Sequence, residues 1–239
     1  IQDSIEKVGN KVSVASITTE NLRPLSFVEL TPYEKKHGVY NVAIHRGELQ
    51  KILAEEIGYE NIRLSKRLSN IRQSDMVELH FSDDSIEYSP IVIGADGIKS
   101  TVRNQLFQAS EIRQTKQVCW RGISTITLPA QYQHQAIEAW GKGKRFGFVK
   151  ISDKKIYWYA VANEDLVSQD TQDILRLFEE FHPDISKIIL ETDSTDIIFS
   201  RISDLRPMKK WHTKNVCLIG DAAHATTPNL GQGACQAVE

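Results

Sequence analysis

LIGDAAHATTPNLGQG, residues 218–233, is the stretch on which the reading of this chain turns. An apolar strand, Val216 to Ile219, runs into Gly220-Asp221. Ligands of open α/β sheets sit beyond the carboxyl ends of the strands, so Asp221 stands where a carboxylate can meet ligand hydroxyls. Pro228 stiffens the loop that follows. Gly231 and Gly233 leave its amides open to a flat ligand. A helix then starts, with its positive end toward any negative charge on that ligand. Taken alone, the stretch also reads as a glycine-rich loop before a core helix, and His224 as a structural histidine more often than a catalyst.

Two further stretches share this character. In IVIGADGIKSTVR, residues 91–103, an apolar strand from Ile91 to Ala95 ends in Asp96-Gly97. A strand apolar on both faces is expected in a buried, parallel sheet. Asp96 is placed to accept hydroxyl protons from a ribose or ribitol, or to hold water near a phosphate. Gly97 lets the backbone approach a ligand. A helix is expected from about Ser100 to Phe107, with Ser100 as N-cap and Arg103 one turn in. In IHRGELQKIL, residues 44–53, Arg46 opens a helix expected over 46–57. Leu49, Ile52, Leu53 and Ile57 fall at helical spacing, and Gly58 suits the C-terminal cap. A cation at a helix N-terminus is misplaced by about 0.3–1 kcal/mol. A shared anion such as a pyrophosphate would offset that. The plain alternatives are a strand-turn-helix junction and a solvated arginine.

Around these lies a mixed chain. A helix is expected from Ile1 to Val8, closed by Gly9, then strands at Val12 and Val14 and around Ser26 to Leu30, the latter between Pro24 and Pro32. Val77, Leu79 and Phe81 alternate with polar residues, turn at Asp83-Asp84-Ser85 and pair back through Ile86 to Tyr88. From about 117 to 203 the character changes. Strands are expected at 117–127, 145–151 and 156–162, and the region carries most of the aromatics: Trp120, Trp140, Phe146, Phe148, Tyr157, Trp158 and Tyr159. A helix follows with Ile174, Leu175, Leu177 and Phe178 on its core side, another begins near Pro183, and a strand returns at Ile197 to Ile202. The fold class expected is α/β: a nucleotide-binding domain over 1–110 and 205–239 with an antiparallel sheet, 111–204, inserted into it.

Composition narrows the class. The chain has 239 residues, 41% of them hydrophobic and 25% charged, as in soluble globular proteins. A net charge of −2 gives no basis for a nucleic-acid or anionic-membrane partner. No apolar run approaches the roughly 18 residues of a membrane span. Cys119, Cys217 and Cys235 are odd in number and far apart, which argues against a metal site or disulfide framework and for a cytoplasmic setting. The chain opens at Ile1 inside a helix and stops at Glu239 as a helix begins, so it reads as a fragment of a longer protein.

Together the three stretches resemble the single-component FAD-dependent aromatic monooxygenases, the group of salicylate and hydroxybenzoate hydroxylases, urate hydroxylase and zeaxanthin epoxidase-like enzymes. GADGIKSTVR resembles the family's DG motif, and GDAAHATTPNLGQGACQAVE its GD motif through to the flavin-facing helix. IHRGELQKIL resembles the helix whose arginine approaches the FAD. WRGI at 120–123 and EAWGKGKRFGFVKI at 138–151 resemble substrate-domain strands. One departure is large: the family's GxGxxG fingerprint is absent and would lie upstream of Ile1, so the Rossmann-like domain is incomplete and autonomous FAD binding is in doubt.

The resemblance implies that NAD(P)H reduces FAD and that a flavin C4a-hydroperoxide passes one atom of O2 to an aromatic or other electron-rich small molecule. No catalytic side-chain triad and no metal are then needed. It implies Asp221 at the flavin ribitol, Gly231, Gln232 and Gly233 at the pyrimidine edge, and Pro228 near the oxygen-reacting face. Asp96 and Gly97 would lie near the pyrophosphate and the nicotinamide approach, and Arg46 near the phosphates or flavin. Arg103 would brace the DG loop. Phe148, Tyr157 and Tyr159 are candidate walls of the substrate pocket, with core packing as the alternative for each. A reductase or dehydrogenase of the same fold, a halogenase, and a non-catalytic module for a hydrophobic ligand stay open, as do substrate identity and oligomeric state.

Overall fold

A computed structural model describes residues 1–107, 111–167 and 174–239. The chain divides into two compact units. One comprises Ile1–Ile62 and Lys116–Arg201, the other Arg63–Thr115 and Ile202–Glu239.

The aromatic strands build a seven-stranded sheet. Its order is Ile198–Leu205, Ile112–Ser124, Lys155–Asn163, Lys144–Ser152, Gln135–Gly141, Val14–Thr19, Pro24–Glu29. The ladders from Ile112–Ser124 across to Gln135–Gly141 are antiparallel, while Val14–Thr19 joins Gln135–Gly141 in parallel. Strict alternation gives each strand one apolar face. Val118, Trp120, Ile137, Ala139, Phe146, Phe148, Ile156 and Trp158 share the buried face. They pack with Ile174, Leu177, Phe178 and Phe181, and with Ile185, Ile188 and Ile189 of the helix Pro183–Leu190. Phe146 stacks on Trp158 at 5.4 Å between ring centroids and meets Phe178 edge-on at 5.9 Å. Each such ring, fully buried, contributes about 1.5–3 kcal/mol. Gly122 makes room for this layer, because a Cβ there would lie 2.6 Å from the Trp158 ring.

Several elements depart from the sequence reading. The strand expected from 117 starts at Ile112 and stops at Ser124. The helix expected around Ile174 is regular only over Ile174–Leu177 among the described residues. The strand Gln135–Gly141 starts ahead of the stretch 138–151 read as resembling substrate-domain strands, and the helix Thr31–His37 was not expected. Pro32 sits in the first turn of that helix, where its missing N–H would be unbonded anyway, so it opens the element instead of breaking the chain. The helix Arg46–Ile57 forms as expected, yet none of its residues is buried, and Leu53 and Ile57 are exposed.

In the second unit, Val92–Gly94 pairs in parallel with Val216–Leu218, register Leu218 to Gly94, and His212–Thr213 closes the other side. A meander of Leu68–Gln73, Val77–Phe81 and Ile86–Ser89 accompanies it. Ile71, Val77, Val102, Val216, Leu218, Ala222 and Ala223 form its core. The strand at 91–95 has one face packed among the described residues. The Gly94 face packs on Val102, whose Cβ is 3.1 Å from the position of a Cβ on Gly94. The helix Thr101–Leu106 packs on that side, and on the opposite face Ile91 and Ile93 meet little of the described residues.

Candidate functional site

The parallel ladder explains how two motifs 125 residues apart form one site. Gly94 and Leu218 are register partners, and the Ile219 amide donates to the Gly94 carbonyl at 3.0 Å. Asp96-Gly97 and Gly220-Asp221 therefore both follow the carboxyl ends of adjacent parallel strands. Gly220 has φ +56° and precedes a one-turn helix, Asp221–His224, that the sequence did not announce. Asp221 is exposed while Ala222 and Ala223 go to the core. His224 rests on the Trp211 ring at 5.1 Å, which gives it a packing role.

Asp96 does part of its work inside the chain. Its Oδ2 accepts from the amides of Thr101 at 2.7 Å and Val102 at 3.1 Å. Ser100 Oγ accepts from the Arg103 amide at 2.9 Å, as expected of an N-cap. The first turn of Thr101–Leu106 thus has its free N–H groups satisfied by two acidic or hydroxyl side chains.

Arg103 is the tie between the motifs. Its side chain is fully buried. The guanidinium donates to the Ala222 carbonyl at 2.9 Å and to the Ile98 carbonyl, one on each motif. Burial pulls its pKa down, and the negative field of Asp96 opposes that pull.

Beyond Asp221 the backbone is bare. Pro228–Leu230 form a single 3-10 turn, Gly231 follows at φ +64°, and the helix Gly233–Val238 begins after Gln232. A Cβ on Gly231 or on Gly97, the latter at φ +77°, would meet nothing within 4 Å. These residues fit a flat nucleotide cofactor: an exposed carboxylate and two open glycine turns sit in one unit, and among the described residues a Cβ at either glycine would meet no side chain within 4 Å.

Arg46 belongs to the other unit, where it is the first, exposed residue of Arg46–Ile57 after His45. The pocket candidates lie there too, and the structure separates them. Phe148 is 2% exposed, pairs with Trp158 across the ladder and meets Tyr132 edge-on at 5.8 Å. It is a core residue, and its reading as a pocket wall is corrected. Tyr157 and Tyr159 occupy the opposite face, half-buried, 6.2 Å apart. The Tyr159 hydroxyl donates to Glu138 Oε2, reaching across the Lys144–Ser152 strand at Gly147. A Cβ on Gly147 would lie 2.2 Å from that ring. Glu138 Oε1 also accepts from Trp140 Nε1 at 2.5 Å, and Arg145 lies 3.8 Å from it. Burial and the neighbouring Glu138 charge push the Tyr159 phenol far above its usual range. The sequence reading missed Glu138, Arg121 and Arg145. The signal was available for Arg121, which stands between the buried Trp120 and Gly122.

The profile of a family described as an FAD binding domain matches residues 1–239. Aurachin C monooxygenase/isomerase of Stigmatella aurantiaca is 30% identical over 244 residues, covering 100% of this chain and 63% of that protein. The 2-heptyl-3-hydroxy-4(1H)-quinolone synthase of Pseudomonas aeruginosa is 32% identical over 211 residues, 83% of this chain and 53% of that protein. The crystal structure of Klebsiella pneumoniae HpxO with FAD and uric acid superposes with a TM-score of 0.86 at 25% identity, over 98% of this chain and 62% of that one. The chain thus spans somewhat over half the length of these relatives. The match over residues 1–239, the shared fold and the paired Asp-Gly and Gly-Asp motifs agree: the chain belongs to the family described as an FAD binding domain.

Proposed function

We propose that the protein is an FAD- and NAD(P)H-dependent monooxygenase that inserts one atom of O2 into an aromatic or other electron-rich small molecule. The observation that carries this reading is the convergence of Asp96-Gly97 and Gly220-Asp221 at the carboxyl ends of paired parallel strands, tied by Arg103. Relatives named as a monooxygenase and a quinolone synthase, and a neighbour holding FAD and uric acid, support the same chemistry. When bound, FAD supplies the redox and oxygen-activating chemistry.

The chain's own residues bind, orient and exclude water. Asp221 accepts from a ribitol hydroxyl. The amides of Gly231, Gln232 and Gly233 face the pyrimidine edge, where they and the helix start favour negative charge. Pro228 lines the oxygen-reacting side. Asp96 meets the pyrophosphate and the nicotinamide approach through Oδ1, Oδ2 being committed to the helix amides. Gly97 lets the backbone come close, and Arg46 serves the phosphates. Tyr157 and Tyr159 wall the substrate side, and the inserted substrate layer spans about residues 111–204. We place the protein in the cytoplasm, in keeping with three free cysteines. No helix among the described residues is long and apolar enough to cross a membrane.

The test is Asp221→Ala in the flavin-loaded protein. Flavin content after gel filtration should fall and substrate-dependent oxygenation should be lost. Normal flavin content with normal turnover would overturn the assignment.

A further inference from the structure

Pro24–Glu29 is an edge strand of the seven-stranded sheet. It pairs with Val14–Thr19 on one side and, among the described residues, with no strand on the other. The Leu30 amide donates to the Ser13 carbonyl at 2.9 Å, and Val28 is the register partner of Ala15. Backbone groups alternate in direction along an antiparallel strand, so those of Phe27 and Glu29 point away from the sheet. Every residue of the strand is exposed, Phe27 at 62%.

Natural sheets guard such edges with charges, prolines and bulges. The opposite edge, Ile198–Leu205, carries Arg201 and Asp204 within the strand, paired with Glu164 and Arg113. In Pro24–Glu29 the proline and the irregularity opposite Ile17 and Thr18 guard only the start, and Leu25 to Val28 contains no charge. The charges stand at the two ends. Arg23 and Glu29 are both exposed, and among the described residues neither forms an ion pair. The helix Thr31–His37 that follows buries Glu34, held by Lys11 at 2.9 Å, and leaves Tyr33 58% exposed, so the apolar exposure continues past the strand.

An open edge with a cation at one end and an anion at the other is complementary to its own reverse. Antiparallel pairing of two copies about a two-fold axis near Ser26 sets Arg23 against Glu29 of the partner subunit, and Phe27 against Leu25 of the partner subunit, each twice. In-register parallel pairing would set like charge on like. Opposite charges facing across a ladder favour pairing and like charges oppose it. The outward N–H and C=O groups gain partners, and the contact, being isologous, closes on itself. We propose that the protein self-associates through this edge, two copies joining their sheets along Pro24–Glu29 in antiparallel register with the Arg23 and Glu29 pairs at its ends.

Sedimentation velocity on the flavin-loaded protein is the assay, with thermal unfolding to confirm that each variant is folded. The parent should be a dimer at about 100 µM and dissociate toward about 1 µM, as fits a small interface. Arg23→Glu and Glu29→Arg should each weaken the dimer about tenfold or more, because the two-fold axis repeats the like-charge contact. An equimolar mixture of these two variants should recover the dimer, since each supplies the charge that the other lacks. Phe27→Pro, which deletes an outward N–H and the ring, should leave a folded monomer. A parent that is monomeric at about 100 µM, single variants that dimerise like the parent, or a mixture that stays monomeric overturns the proposal. A monomer that co-sediments with vesicles of anionic phosphatidylglycerol assigns the face to lipid and overturns it as well. Neither flavin content nor turnover enters the readout, so the outcome is independent of the monooxygenase reading.

Discussion

Replacing Arg103 by Met is the sharpest test of how the cofactor side is held together. The side chain is fully buried and joins the Ile98 carbonyl of one motif to the Ala222 carbonyl of the other. Met keeps most of the volume and removes both donors. Each hydrogen bond from a charged donor is worth about 1.5–3 kcal/mol, and each carbonyl left buried without a partner costs about 1–3 kcal/mol. These overlap, since a lost bond and an orphaned carbonyl describe one event. Relief of the buried charge offsets part of the loss. A net destabilisation of about 3–5 kcal/mol follows from two such losses less the relief of the buried charge. For a chain of this size that is a fall in Tm of about 6–20 °C. Arg103→Lys reaches one carbonyl at best and should recover about half. The assay is urea and thermal unfolding followed by tryptophan emission, with flavin content measured in parallel. An Arg103→Met protein whose stability and flavin content match the parent would refute the argument, because the two motifs would then be held by the strand ladder alone.

Three further outcomes follow from the same geometry. Gly147→Ala places a methyl 2.2 Å from the Tyr159 ring and should break the contact to Glu138, costing about 1–3 kcal/mol and lowering the phenol's very high pKa in an ultraviolet titration. An unchanged Tyr159 titration would contradict this. Gly122→Ala meets Trp158 at 2.6 Å and should loosen the Trp158 Nε1 bond to Thr192 Oγ1, now 2.9 Å, with a red shift in tryptophan emission as the readout. Glu34, buried in the first unit, is held below its usual pKa of 4.5 by the Lys11 ammonium at 2.9 Å. A carboxylate with a lowered folded-state pKa stabilises the fold above its unfolded pKa, and that contribution is lost as pH falls through the folded value. Lys11→Met should therefore flatten the decline in stability below about pH 4.5, and an acid limb identical to the parent's would refute the pairing.

Much of this protein was legible before any coordinates. The motifs at 91–103 and 218–233 declare themselves because a strand ending in Asp-Gly or Gly-Asp ahead of a helix demands a particular backbone, and that demand is local. Ser100 as N-cap, Gly58 after the helix at 46–57 and the aromatic strands were readable for the same reason: capping and alternation act over a few residues. What needed tertiary structure was everything decided by a partner distant in sequence. Alternation within one strand does not relate Phe148 to Tyr159 on the next; the register of the two strands puts them on opposite faces, and the seating of Phe178 and the helix Pro183–Leu190 tells which face is core. The parallel pairing of Gly94 with Leu218 turns two separate motifs into one site, and Arg103, charged and one turn into a helix, shows its purpose only when Ala222 lies beside it. The apolar run at 91–95 does not say which of its faces meets the helix Thr101–Leu106, because burial belongs to the packing of neighbouring elements and not to the strand itself.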